Sequence, residues 1–336
     1  MRHRTRVGRL RTLAGGLGIG ATLAAAPAIA SADSSTDPVS WLDELMSGLS
    51  IPAQATASLD YQVSIFGIDL FPTAGNTATA TSGIGSIAIA IGNGADANAS
   101  GGTFGSELGT LDLAFANGTN SLANIGLGAS LDTAFADGIG SQANIGLGAS
   151  LDNATAIGNG SAAQVAIGAN LDTAYANGAG SFADAGVGNY DLATALGDGS
   201  RAIAGVGNSD FAAALGGGNA TAGGFMTSAF ATGANTDAVT GGFSDSAAVF
   251  GTNAEAQASG IADFASIINT GSAFDEAIAG GGSPLSSNFD IADILGTGST
   301  ALAGDGGNYD LAAVFGDMLN ALATGGNWMI DILPSL

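Results

Sequence analysis

No cysteine and no lysine occur in this 336-residue chain, and its one histidine is His3. Without cysteine there is no disulfide to hold the fold and no thiol to react. Without lysine there is no Schiff-base chemistry, and a histidine base is confined to the extreme N-terminus. Basic charge is nearly absent: Arg2, Arg4, Arg6, Arg9 and Arg11 stand at the start and only Arg201 follows. All 29 Asp and Glu lie after residue 32, where one arginine leaves a net charge of −28. A nucleic-acid partner is excluded on that balance, since phosphate contacts need a basic face. Such a surface also resists nonspecific contact with anionic lipid.

What is present begins with a targeting pattern. The arginines are followed by an uncharged stretch from Leu13 to Ala26 and by Ala30-Ser31-Ala32. Basic start, apolar middle and small-x-small end read as a secretory signal peptide over 1–32, cleaved after Ala32. The rival, a retained membrane helix, is opposed by Gly15, Gly16, Gly18, Gly20 and Pro27. Removal of the segment leaves no transmembrane helix. Residues 33–77 read as a linker, a capping helix and a first strand. Asp37 and Pro38 suit a helix start, and Trp41, Leu42, Leu45, Met46 and Leu49 share one helical face. Tyr61 to Phe71 alternates as a strand does.

The rest repeats. Leu-Asp-x-Ala opens at Leu111, Leu131, Leu151 and Leu171, and each unit closes on an apolar-Gly pattern such as Ile125-Gly126-Leu127-Gly128. One turn glycine can be followed from Gly92 through Gly118, Gly138, Gly158 and Gly178 to Gly316, with Asn269 replacing one copy. Its spacing is 20 residues at first, then 17 to 19. Longer steps mark insertions around Gly105-Ser106-Glu107-Leu108 and Gly280-Gly281-Gly282-Ser283-Pro284. Later units carry Asn-x-Asp headers at Asp191, Asp210, Asp290 and Asp310.

A period of 17–20 residues is too short for a helix pair, and no leucine-rich frame is present. The expected class is all-β: a parallel β-solenoid over 78–317, with helical or apolar caps at both ends, the second being residues 318–336. Each coil would hold two or three short strands, stacked about 4.8 Å apart. The expected inner columns are Ile125/Ile145/Val165 and Leu127/Leu147/Ile167, with Phe115/Phe135/Tyr175 as an aromatic column. Disorder is the competing reading, since glycine makes up 56 residues, but the regular Ile, Leu and Val positions argue for a core.

Ser86-Ile87-Ala88-Ile89-Ala90-Ile91-Gly92-Asn93-Gly94-Ala95-Asp96-Ala97, echoed at Ala156-Ile157-Gly158-Asn159-Gly160-Ser161, resembles the head repeats of trimeric autotransporter adhesins. That resemblance implies a parallel β-roll at a bacterial surface. The coil here is longer, and neither a coiled-coil stalk nor a C-terminal membrane-barrel segment follows. The Gly/Ala/Asn-rich composition is similar to exported, PGRS-like repeat proteins of mycobacteria, without their Pro-Glu domain. That likeness implies a secreted or cell-envelope location and carries no site residues.

Asp112, Asp132, Asp152 and Asp172 are the candidate site. Stacked at strand spacing, like charges repel, and a calcium ion between coils would relieve this with oxygen ligands. The simpler expectation is that each Asp accepts backbone N–H bonds at a turn, its charge in water. No catalytic residue and no other cofactor are expected, and Arg201 is expected to pair with an Asp of a neighbouring coil. The function expected is that of a secreted or cell-surface structural protein, an acidic rod that contacts an unidentified macromolecule and can self-associate. A calcium-stabilised adhesin-like module is the first alternative and a carbohydrate-active β-helix the distant one.

Overall fold

The computed structural model describes residues 60–70, 76–99, 111–269, 271–281, 289–305, 309–324 and 328–334. The signal segment, the capping helix and both expected insertions' centres lie outside these residues. Among the described residues every regular element is a strand. The strands form two facing sheets, one of 15 strands and one of 14, and the chain alternates between them for about twelve coils. Pairing from coil to coil is parallel and in register, as where Ala134 lies beside Ala154 and Ala154 beside Ala174, with a shift between Ala204 and Gly207. The parallel β-solenoid is therefore the fold.

Alanine is the reason the coil is so thin. In strands such as Thr133–Asp137 and Gln142–Ile145, every second residue points inward, and most of those residues are fully buried alanines. Backbone ladders and close contact of small side chains replace the large core of a typical domain. Larger inner residues come singly. Ile125, Ile145 and Val165 fill the second sheet's side in the early coils, and Val249, Ile267, Ile294 and Val314 fill the first sheet's side later. The expected second inner column is overturned: Leu127, Leu147 and Ile167 are 49–65% exposed. They follow Gly126, Gly146 and Ala166 around a corner, where the alternation of a strand no longer holds. The aromatic column is broken as well. Phe115 stacks on Phe135 at 5.1 Å, but Thr155 separates Phe135 from Tyr175.

The N-terminal end is closed by a reversal of direction. Strand β1 (Tyr61–Ile65) turns at Phe66-Gly67, both at positive φ, into β2 (Ile68–Leu70). This is the two-residue turn whose twist suits a hairpin. Strand β3 (Thr79–Ser82) is the edge of the second sheet, and β4 (Ile87–Ile91) pairs antiparallel with β1. The N–H groups of Ala78, Ala80 and Ser82 donate to Asp60 Oδ1, Gln62 Oε1 and Ser64 Oγ, at 2.8, 3.1 and 3.1 Å. Side chains thus occupy donors that an exposed edge would offer to another strand. At the other end the apolar tail continues the ladder: Asn320–Ala323 extends the second sheet and Ile330–Pro334 the first.

Candidate functional site

Each coil turns two corners. The first follows the first sheet's strand and holds the turn glycine. Gly118, Gly138, Gly158 and Gly178 have φ between +114° and +139°. A Cβ on Gly138 would lie 2.6 Å from the carbonyl oxygen of Gly158, so only glycine fits the stack. Ser141, Ser161 and Ser181 close this corner, donating to the carbonyls of Gly138, Gly158 and Gly178 at 3.2, 2.9 and 3.0 Å.

The second corner carries the candidate aspartates, and the structure brings them into one ladder. The N–H of Asp132 donates to Asp112 Oδ1 at 3.3 Å, that of Asp152 to Asp132 Oδ1 at 2.8 Å, and that of Asp172 to Asp152 Oδ1 at 2.7 Å. The ladder continues through Asp191 and Asp210 to Thr227, then from Asp245 through Asp263, Asp290 and Asp310 to Met329. Asp245 and Asp263 were not legible as members, because Ser244-Asp245 and Ala262-Asp263 lack the Leu or Asn header. Their signal is distance from the turn position of their own coil, Gly251 for Asp245 and Asn269 for Asp263.

Half of the turn expectation holds and half is corrected. The aspartates do accept backbone N–H bonds, but they are not in water: all ten are at most 2% exposed. The corner wraps around them, and the neighbouring coils cover them above and below. Burial is the main cause that lifts Asp132 and Asp172 to about 7 and Asp191 to about 6, with adjacent ladder carboxylates adding to it and the donated N–H groups opposing it. Asp112, Asp152, Asp245 and Asp290 are raised for the same main reason.

The ladder does not fit a calcium ion. Calcium takes six to eight oxygens. Here Oδ1 already accepts the next coil's N–H, and Oδ2 is enclosed. In Asp132 and Asp152, Oδ2 accepts from Ser130 and Ser150 N–H at 2.9 and 3.0 Å. In Asp191 and Asp210 it is buried without a hydrogen bond and lies against Gly188 and Gly207, where a Cβ would come within 2.5 Å. Among the described residues no three His, Cys, Asp or Glu side chains gather to hold a metal.

The residue before each ladder position after Asp112 is a feature that sequence reasoning missed. Leu131, Leu151, Leu171, Tyr190, Ser209, Met226, Phe289, Tyr309 and Trp328 all have φ between +59° and +65°. Bulky residues rarely adopt this conformation, and here the corner imposes it. The large side chains among them are exposed, and the three aromatic ones of the last coils stack on one another. Phe289, Tyr309 and Trp328 lie 5.4 and 4.7 Å apart, with rings nearly parallel.

The outer faces of the two sheets differ. On the second sheet, Asn98, Asn124, Asn144 and Gln164 form an amide column, with Asn98 donating to Asn124 at 3.1 Å. Beside it Asn124, Asn144, Gln164, Ile167 and Val187 line an open depression of about 440 Å³ with no titratable group among its lining residues. Further along come Asp237, Glu255 and Glu276. Arg201 also lies on this face. It shows no ion pair among the described residues, contrary to expectation. Its guanidinium instead lies 5.5 Å above the Phe182 ring, and its charge opposes the burial that raises Asp184 and Asp237. No helix among the described residues is long and apolar enough to cross a membrane. No family model, no curated protein and no solved structure matches the chain.

Proposed function

We propose that the chain is a secreted or cell-surface structural protein that acts by contact rather than catalysis, presenting a long repeat rod to other macromolecules. The observation that carries this reading is where the chemistry-bearing groups lie. The ladder aspartates are buried and committed to backbone donors, while the accessible face offers amides, hydroxyls and scattered acids in columns. A repeating column suits an extended partner read over many coils, and solenoids present such surfaces along their length. The basic start and small-x-small site place export through the N-terminal segment in the same reading.

The test is fractionation of bacteria expressing the full chain with a C-terminal tag. The expected product is in the medium or envelope and begins at Asp33 by mass spectrometry. Full-length chain held in the cytosol defeats the export part. A random-coil circular dichroism spectrum defeats the rod, and turnover of any member of a glycan panel would favour a carbohydrate-active enzyme.

A further inference from the structure

From Leu192–Leu196 to Ile330–Pro334, eight successive strands of the first sheet present three outward positions each. Among these positions Asp293 is the only charge, and Thr194, Ser228, Thr232, Ser246 and Ser266 are the only other polar side chains. Asp293 is held by a hydrogen bond from Ser266. The face has relief. Phe250, Ile268, Leu295 and Phe315 form one exposed ridge, Phe264 and Ile291 lie on a second, and the small Ala248, Ser266 and Ala313 lie between them. Ridge, groove and ridge repeat over the four strands from Ser246 to Phe315, and Phe230 before them and Ile332 after them close the groove at its two ends.

We propose that this face is the contact surface for a second copy of the chain, packed sheet on sheet about a two-fold axis. It deepens the reading of a contact protein and names one partner. Three observations select a second copy. A ridge beside a groove is self-complementary when an identical face is shifted sideways by one column, as an isologous interface requires. The second sheet's face bears Asp96, Asp184, Asp237, Glu255 and Glu276, so two copies of this acidic chain meet there with like charges opposed, whereas the first sheet's face brings almost none together. The area suffices: eight strands at about 4.8 Å and five residues at about 3.3 Å give about 600 Å² per copy, about 1,200 Å² in total, which reaches the range of specific interfaces.

Sedimentation of the full chain over a concentration series tests this. A species of twice 32.1 kDa is expected, and added salt should strengthen it by screening the remaining acids. Phe250→Glu with Leu295→Glu should weaken association by about 100-fold or more, while Ile278→Glu on the opposite face leaves it unchanged. Because the chain has no cysteine, Ala248→Cys should be joined to its counterpart by a bifunctional thiol reagent that spans the about 10 Å between packed sheets, and Gln257→Cys should not. This pair keeps the test decisive if the double glutamate variant fails to fold. A folded monomer at concentrations up to about 100 μM overturns the dimer and leaves the rod reading standing. So does association that the glutamates leave intact. A monomer that floats with phosphatidylcholine vesicles, and ceases to with the glutamates, assigns the face to lipid instead. A random-coil spectrum removes both readings.

Discussion

At one corner of a coil, Ser161 donates its hydroxyl back to Gly158 within the same turn. At the other, Asp152 accepts the N–H of Asp172 from the next coil. Both groups are buried and both satisfy backbone that has left the sheet. They differ in range and in charge. The serine corner is local and neutral, and its shape is set by glycine. The aspartate corner links coils, and it encloses ionisable groups with no basic side chain paired to them among the described residues. Stacking of the first is therefore limited by sterics and of the second by protonation.

The largest expected effect breaks the first corner. Gly138→Val places a β-branched side chain at φ +136° against the backbone of Gly158, so a loss of about 3 kcal/mol or more is expected, read as a fall in Tm. The next effect separates the corners by pH. Asp132 and Asp172 titrate near 7 and Asp191 near 6 in the folded rod, above the ordinary carboxylate value. Folding therefore favours their protonated forms. The stabilisation is fully present below about pH 4 and is lost as pH rises through 6 to 7, so Tm should fall steadily between pH 4.5 and 8. A Tm that rises over that interval would overturn this account of the ladder. Asp172→Asn sharpens the point. It keeps an oxygen for Asp191 N–H but cannot ionise, so at pH 8 it should match or exceed the parent by about 1 kcal/mol and flatten the pH slope. The smallest effect is Ser161→Ala, expected to cost about 1 kcal/mol with no change in slope, since Ala95 already holds the equivalent place at the first turn glycine.

Much of this architecture was legible because the solenoid repeats its constraints. Gly118, Gly138, Gly158 and Gly178 recur at a fixed step since a side chain at any of them meets the next coil's backbone. The inner column of Ile125, Ile145 and Val165 followed from alternation within a strand. Leu127, Leu147 and Ile167 were misplaced because alternation ends at Gly126, Gly146 and Ala166, where a corner re-aims the side chains. The burial of the aspartates was hidden by their chemistry. A carboxylate every twenty residues reads as a surface or a metal site, and only the geometry shows that each Oδ1 meets the next coil's N–H while the group as a whole is buried. The left-handed residues were illegible for a different reason. Leu, Tyr, Met, Phe and Trp are not residues that favour this conformation, and the corner, not their own propensity, imposes it.

The aspartate ladder also makes each coil interchangeable with its neighbour. Every rung takes an N–H from the coil after it and gives one to the coil before it, so an inner rung ends as it begins. Excising residues 132–151, one whole period, would bring Asp152 N–H to Asp112 Oδ1 and leave no ladder bond unmatched. Thr227 still donates to Asp210, and the ladder resumes at Asp245, so the coils tolerate a missing rung. Copy number is thus a free variable of this protein: its length can change by whole coils, by duplication or loss, with no new interaction to invent.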